Sequence, residues 1–203
     1  MKLSIIGASG HGKVVADVAR LCGYNDIVFL DDDDNLNECA GWPVVGKCHE
    51  APDGEVFVAI GNATIREKLM DQYRNRKQPV LIHPSSVIAE DVEIVSGSVI
   101  MAGAVINLGA KVGKGCIVNT SSSIDHDCVI GDYCHISVGA HLCGTVIMGN
   151  STWIGAGAIV SNNISICEHC VIGAGAVVIR DIKKQGTYVG LPANLIQGDK
   201  QCL

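Results

Sequence analysis

Val99-Ile-Met-Ala-Gly-Ala-Val-Ile-Asn-Leu-Gly-Ala-Lys-Val-Gly-Lys-Gly-Cys-Ile-Val118 places a bare aliphatic at every sixth position: Ile100, Ile106, Val112, Val118. Followed outward, the column starts with Ile88 and Ile94. It continues through Ile124, Ile130, Ile136, Leu142, Met148, Ile154, Val160, Ile166 and Ile172 to Val178. No member is polar, and no insertion breaks the register. A period of six fits neither the 3.6 of a helix nor the simple alternation of a half-buried strand. Sustained over sixteen hexads, it is the mark of a coiled parallel β-structure in which each hexad makes one short face.

A second column confirms the first. Four residues after each aliphatic stands a small or β-branched residue, among them Ser98, Ala104, Cys116, Cys128, Cys134, Ala140, Thr152 and Cys170. These precede the next aliphatic by two, so strand alternation turns both columns inward. The residue directly after the aliphatic is Gly, Asn or Asp in eight of the sixteen hexads, including Gly113, Gly131, Gly149, Gly155 and Gly173. Those types are expected to take the tight corners of the coil.

The first 83 residues follow another grammar. Residues 2–7 read as a buried strand, followed by Gly7-Ala-Ser-Gly-His-Gly12 and a helix with Val14, Val15, Val18 and Leu21 at helical spacing. A second strand at 27–30 ends in Asp31-Asp-Asp-Asp34. A third at 56–60 opens into Gly61-Asn62, and a helix at 62–76 sets Ile65, Leu69 and Tyr73 on one face. Alternating strands and helices predict a small Rossmann-like parallel α/β sheet over 1–83. Pro79 and His83-Pro84 mark the passage into the β-coil, expected over 84–182. The tail, 183–203, holds Val189-Gly-Leu-Pro-Ala193 and reads as a loop.

Composition bounds the function. A net charge of −6 gives no support for a nucleic-acid partner. No stretch of about 18 uncharged apolar residues is present, so no membrane span is expected. The opening turns glycine-rich too early for a signal peptide. With two Phe and two Trp, aliphatics must build the core. Cys116, Cys128, Cys134 and Cys170, four of ten cysteines, occupy the small inward column, so they read as core residues rather than disulfide or zinc ligands. A reducing, cytoplasmic compartment follows.

Two regions carry candidate chemistry. A glycine-rich turn between a strand and a helix N-terminus lets backbone N–H groups approach a phosphate. Gly7, Gly10 and Gly12 give G-x-x-G-x-G, not the dinucleotide G-x-G-x-x-G. Asp31 and Asp32 at the next strand end, and Gly61-Asn62 at another, face the same side. A structural turn without ligand, with Asp31 and Asp32 simply solvated, is the bland alternative. On the coil, the polar run from Asn119 to Asp127 contains His126 beside Asp127. A carboxylate that orients an imidazole and raises its basicity suits general-base work; a plain surface pair has the same spacing. His135 and His141 stand in an outward column with Val99, Val105, Ile117, Val129, Ile147, Trp153, Ile159, Val171 and Val177. Such an apolar column needs cover, and neighbouring coils of a homo-oligomer are the expected cover. His135 lies nine residues from His126, half of an 18-residue turn, so the two can meet only between subunits. His126, His135, His141 and His169 do not stack at one corner, and no metal is expected.

Together these motifs, with Phe29-Leu-Asp-Asp32, Ala59-Ile-Gly-Asn62, Asp125-His-Asp127 and 135–144, resemble the hexapeptide-repeat acyltransferases. More closely, the chain is similar over about residues 2–196 to bacterial sugar acetyltransferases with an N-terminal nucleotide-binding domain, a group spanning bacillosamine-type N-acetyltransferases and sialic acid O-acetyltransferases. The resemblance implies a left-handed parallel β-helix, a homotrimer with sites between subunits, and acetyl-CoA as cosubstrate. It implies His126 as general base and Asp127 as the acid supporting it. His135 would contact acetyl-CoA, the Gly144 N–H would meet the thioester carbonyl, and Ala156 and Ala174 would line the pantetheine groove. Ser9, Gly10, His11, Asp31, Asp32 and Gly61 would contact a nucleotide sugar. The implied reaction is N-acetylation of a nucleotide-linked amino sugar, such as a UDP-4-amino-4,6-dideoxy sugar, by direct transfer; Cys143 lacks an evident activating partner. O-acetylation of a sialic acid or related glycan, and a noncatalytic trimeric binding protein, are the competing expectations.

Overall fold

The computed structural model describes residues 2–196. Its N-terminal part contains β1 (Lys2–Ile6), α1 (Gly10–Leu21), β2 (Asp26–Leu30), β3 (Glu38–Cys39), β4 (Trp42–Pro43), β5 (Glu55–Val58) and α2 (Ala63–Gln72). β2, β1 and β5 form a parallel sheet in that order, as the strand–helix alternation predicts, and β3–β4 is a small antiparallel ribbon. Leu3, Ile5, Phe29 and Phe57 pack against Val15, Val18 and Ala19 of α1. Val14 and Leu21, expected inward, are exposed; Ala16 and Ala19 take the buried face, because short side chains let the helix lie close to the sheet.

In α2 the inward stripe is also displaced from expectation. Ile65 is exposed and Leu69 only half-buried, whereas Arg66, Met70 and Tyr73 are buried. The helix meets the coil as well as its own sheet, and its deepest side chain is a cation. The Arg66 guanidinium donates to the carbonyls of Ile60 (2.8 Å) and Gly61 (2.7 Å) in the N-terminal domain, and of Gly115 (2.7 Å) and Tyr133 in the coil. Hydropathy alone cannot place an arginine inward; these four carbonyls do.

The coil is a parallel β-solenoid of three sheets. The first contains six strands, from Val87–Ile88 to Val177–Val178. The second contains five, from Glu93–Ile94 to Ser165–Ile166. The third starts at Leu81–Ile82, three residues ahead of the expected start at 84. Successive strands in a sheet pair residues 18 apart, Val105 with Ser123 and Ile117 with His135, so three hexads make one turn. The two inward columns form one continuous core from Ile100 to Ile182. The tail does not leave as a loop. Gly186–Val189 pairs parallel with Cys170–Ile172, and Asn194–Leu195 turns back antiparallel on it. The last turn of a coil exposes a row of unpaired backbone groups, and this pairing covers that edge. The remainder of the tail, 197–203, lies outside the described residues.

The corners differ from the expectation. The residue with positive φ is the third after the aliphatic, as at Asp127 (58°), Tyr133 (57°) and His169 (54°). The glycines directly after the aliphatic answer a different need. A Cβ on Gly131 would lie 2.8 Å from the Asn150 nitrogen on the next turn, so stacking distance, not corner angle, selects glycine there.

The inward cysteines also do more than fill space. On the third sheet, the side chains of Ser98, Cys116, Cys134 and Thr152 each reach the backbone carbonyl of the residue 15 ahead, at Gly113 (2.8 Å), Gly131 (3.1 Å), Gly149 (3.2 Å) and Cys167 (3.1 Å). A small donor at this position satisfies a partly buried corner carbonyl on four successive turns.

Cover of the outward column is divided. On the third sheet Val99 and Ile117 are buried under the chain's own N-terminal domain, in one cluster with Val15, Phe29 and Leu81. This corrects the expectation that neighbouring coils cover the whole column. On the first and second sheets Val87, Val129, Ile147 and Ile159 remain exposed.

Candidate active site and nucleotide-sugar groove

His126 and Asp127 project from the corner between the first and second sheets. The turn is locked from below. The Asp125 carboxylate accepts from the His126 backbone N–H (2.8 Å) and from the Asn107 amide one turn earlier (2.7 Å). The imidazole Nδ1 lies 2.9 Å from Asp127 Oδ2. An Nδ1–H donated to the carboxylate leaves the Nε2 lone pair free, the tautomer a base requires. This hydrogen bond, with the charges of Asp125 and Asp127, raises the His126 pKa above its ordinary value. Both side chains are more than half exposed, so a substrate can reach them.

Gly144, one turn above, is buried beneath the ring. A Cβ there would lie 2.4 Å from His126 Nε2, so only glycine leaves the imidazole in this place. Among the described residues the Gly144 N–H has no acceptor; a free N–H beside the base is a donor available to a developing oxyanion. His141 is held by Ser123 (Nδ1 to Oγ, 2.8 Å) and stands on the first sheet. Asn107 was not singled out from sequence, and Asn119 and Asp125 entered only as members of the polar run and of the Asp125-His-Asp127 motif; the hydrogen bonds of their side chains become legible only when the stacking of the turns is known.

His135 lies on the third sheet, away from His126 on the same chain. Its ring stacks on Trp153 at a centroid distance of 5.6 Å and contacts the Asn119 amide at 3.2 Å. Burial, then the nearby His11 and Arg66, push its pKa down to about 3. Burial and Arg66 push His11 down to about 4. Both are therefore neutral near pH 7, and the His11 Nε2 is buried without a partner. The strand carrying His135 runs into a corner where exposed Ala156 and Ala174 stack on successive turns. That corner and the His126–Gly144 corner border the two edges of the first sheet.

A cavity of about 450 Å³ separates the N-terminal domain from the coil. Gly61, Asn62 and Thr64 form one wall, and Tyr133, His135, Trp153, His169 and Val171 the other. Beyond the segment 60–65 lies a second groove of about 440 Å³, bordered by Asp31, Asp32, Cys48 and Lys68. Asp31 accepts from the Ala8 N–H in the glycine turn (2.7 Å), and Asp32 from the Cys48 N–H (3.0 Å). The carboxylates thus also tie loops together. Ser9 and Gly10 are exposed at the start of α1, and the Ser9 side chain makes no capping bond, leaving the helix N-terminus uncapped by it. Among the described residues no three His, Cys, Asp or Glu side chains gather as a metal site, and no helix is long and apolar enough to cross a membrane. Cys143 Sγ has no hydrogen-bonded base among them.

Residues 2–73 match the family model described as the PglD N-terminal domain, and residues 145–180 match bacterial transferase hexapeptide (six repeats). The chain is 30% identical over 155 residues to GDP-perosamine N-acetyltransferase of Escherichia coli O157:H7, covering 70% of each. It is 35% identical over 110 residues to UDP-N-acetylbacillosamine N-acetyltransferase of Bacillus subtilis (strain 168), covering 49% of this chain and 51% of the relative. The structure of the acetyltransferase domain of PglB from Neisseria gonorrhoeae FA1090 in complex with acetyl coenzyme A superposes with a TM-score of 0.92. That chain is 40% identical, with 96% of this chain and 98% of that one covered.

Proposed function

The chain belongs to the hexapeptide-repeat sugar N-acetyltransferases that carry a PglD-type N-terminal domain, and from that membership we propose that it acetylates the amine of a nucleotide-linked 4-amino-4,6-dideoxy sugar with His126 as general base. The observation that carries the reading is the exposed His126–Asp127 pair, held over a glycine whose N–H is free. The acceptor amine attacks the thioester carbonyl of acetyl-CoA. His126 Nε2 takes the amine proton, the Gly144 N–H receives the oxyanion, and CoA thiolate departs. Ala156 and Ala174 offer a small-residue path for pantetheine along their corner, with His135 at its margin.

The nucleotide lies along Asp31, Asp32, Ser9, Gly10 and His11, and the sugar enters the cavity between Gly61 and the Trp153–His135 stack. A neutral His135 suits a chamber that must admit an amine without repelling it. Because His126 and that cavity are on different faces of one chain, the amine reaches a base from a second copy. The exposed aliphatics of the first and second sheets suit the packing of three coils into a homotrimer. Nine free cysteines among the described residues suit a reducing compartment such as the cytoplasm. UDP is the first candidate handle; the relationship to a GDP-perosamine enzyme over 70% of the chain favours GDP as the second. Both named relatives are N-acetyltransferases, which favours an amine acceptor over a glycan hydroxyl.

Purified protein, with its mass checked for three chains by light scattering, should release CoA from acetyl-CoA only when a UDP- or GDP-linked 4-amino sugar is present. His126→Ala should lower kcat by about 10²-fold or more with little change in Tm. Release with a sialic acid but with neither nucleotide sugar would replace this reading by O-acetylation.

A further inference from the structure

Cys167-Glu-His-Cys170 has the C-x-x-C spacing of a redox pair, a pattern at odds with treating every cysteine of the coil as inert filling. We propose that Cys167 and Cys170 are a dithiol modification site that reacts with low-molecular-weight disulfides, closing to an intramolecular disulfide that reshapes the cavity beside it. The effect on activity rests on the sugar-cavity assignment proposed above; the disulfide itself does not.

The two sulfurs lie 3.4 Å apart. Cys170 is buried in the small inward column, and Cys167 is half-exposed at the corner. Cys170 breaks the pattern of its column. Cys116 and Cys134 place their sulfurs 3.1 and 3.2 Å from a corner carbonyl, whereas Cys170 has carbonyls only at 3.7 Å and finds the Cys167 sulfur instead. Burial pushes the Cys170 thiol up to about 12, with Cys167 adding to it. Cys167, the less buried of the two, is therefore the attacking thiol and Cys170 the resolving one. Among the described residues no third ligand joins them, so a zinc site does not compete.

Closure is balanced with one equivalent of oxidant. The Cys167 thiolate attacks one sulfur of glutathione disulfide; that S–S bond breaks and one glutathione thiolate leaves to take up a proton. Cys170 then loses its proton and attacks the Cys167 sulfur of the mixed disulfide, expelling the second glutathione. Two protein thiols and one disulfide become one protein disulfide and two thiols. Residues held in contact make the second step effectively unimolecular. A disulfide bond is about 2.05 Å long, so the two sulfurs must close by more than 1 Å, a movement shared between their side chains and the corner backbone. His169, between the two cysteines, and Val171, on the strand Cys170 begins, both line the 450 Å³ cavity. Displacements of that size in a binding wall change fit substantially.

The test treats the intact protein with glutathione disulfide, then maps alkylated peptides by mass. The peptide spanning 167–170 should lose about 2 Da, recovered with dithiothreitol. KM for the nucleotide sugar should rise on the order of tenfold in the oxidised protein, with KM for acetyl-CoA unchanged. Cys167→Ser, a half-exposed site outside the catalytic residues, should keep basal activity and lose the response. Free, alkylatable thiols at both positions after oxidation would overturn the proposal, as would a disulfide that leaves the nucleotide-sugar KM unaltered. Wild-type protein that transfers no acetyl group to any nucleotide sugar would instead sink the functional reading. The mass shift, with the thermal shift induced by UDP and GDP before and after oxidation, would still decide this one.

Discussion

At the scale of the residue, the proposed chemistry would depend on three neighbours of one imidazole. Asp125 fixes the backbone, Asp127 fixes the tautomer, and Gly144 vacates the space in which the ring stands. Asp127 would also set the pH response of the proposed base. Its hydrogen bond is the largest cause of the raised His126 pKa, so the base form appears only as pH rises through that raised value. Removing the carboxylate charge lowers the pKa toward the ordinary 6.5. In Asp127→Asn the acid limb of the kcat/KM–pH profile should therefore move to lower pH, while the plateau falls because the imidazole is less basic and less well oriented. An unmoved acid limb would mean that another group titrates there. The His126–Asp127 pair was visible as adjacent letters. The clearance above it was not, since Gly144 lies 18 residues away.

At the scale of the element, the repeat is a ladder whose rungs repeat polar as well as apolar contacts. The donors at Ser98, Cys116, Cys134 and Thr152 stack in one column, each serving a corner carbonyl. A column chosen for apolar filling would tolerate Cys134→Ala better than Cys134→Ser. A column chosen for donors ranks them the other way, because alanine leaves the partly buried Gly149 carbonyl without its side-chain partner, a loss of about 1 kcal/mol. Urea denaturation of the two variants should find the serine protein more stable. The inward positions were fully legible, because burial on a coil follows a strict period. The reason for cysteine among them was not, since a donor's acceptor is 15 residues away and belongs to the fold. The displaced faces of α1 and α2 have a similar origin. Helical spacing locates a stripe, but the surfaces it meets decide which edge of the stripe is buried.

At the scale of the whole molecule, the two domains are joined by a buried cation. Arg66 has no carboxylate partner; it is satisfied by four carbonyls, two on each side of the junction. Arg66→Ala leaves those carbonyls underbonded and should lower stability by about 3 kcal/mol or more, read as a fall in the urea midpoint. Retention of the wild-type midpoint would show that the apolar contacts of Val99 and Ile117 hold the domains unaided. The hexad period alone determined the solenoid, its three sheets and its solid core, because a rule that recurs every six residues is local and needs no knowledge of distant partners. The order of strand, glycine turn and helix likewise determined the parallel sheet in front of it. Tertiary structure alone decided which outward face the N-terminal domain covers, where a buried arginine could be satisfied, and that the front domain and the coil enclose one cavity. Those are contacts between surfaces far apart in the chain, and their energies depend on burial and on partners that no sequence period encodes.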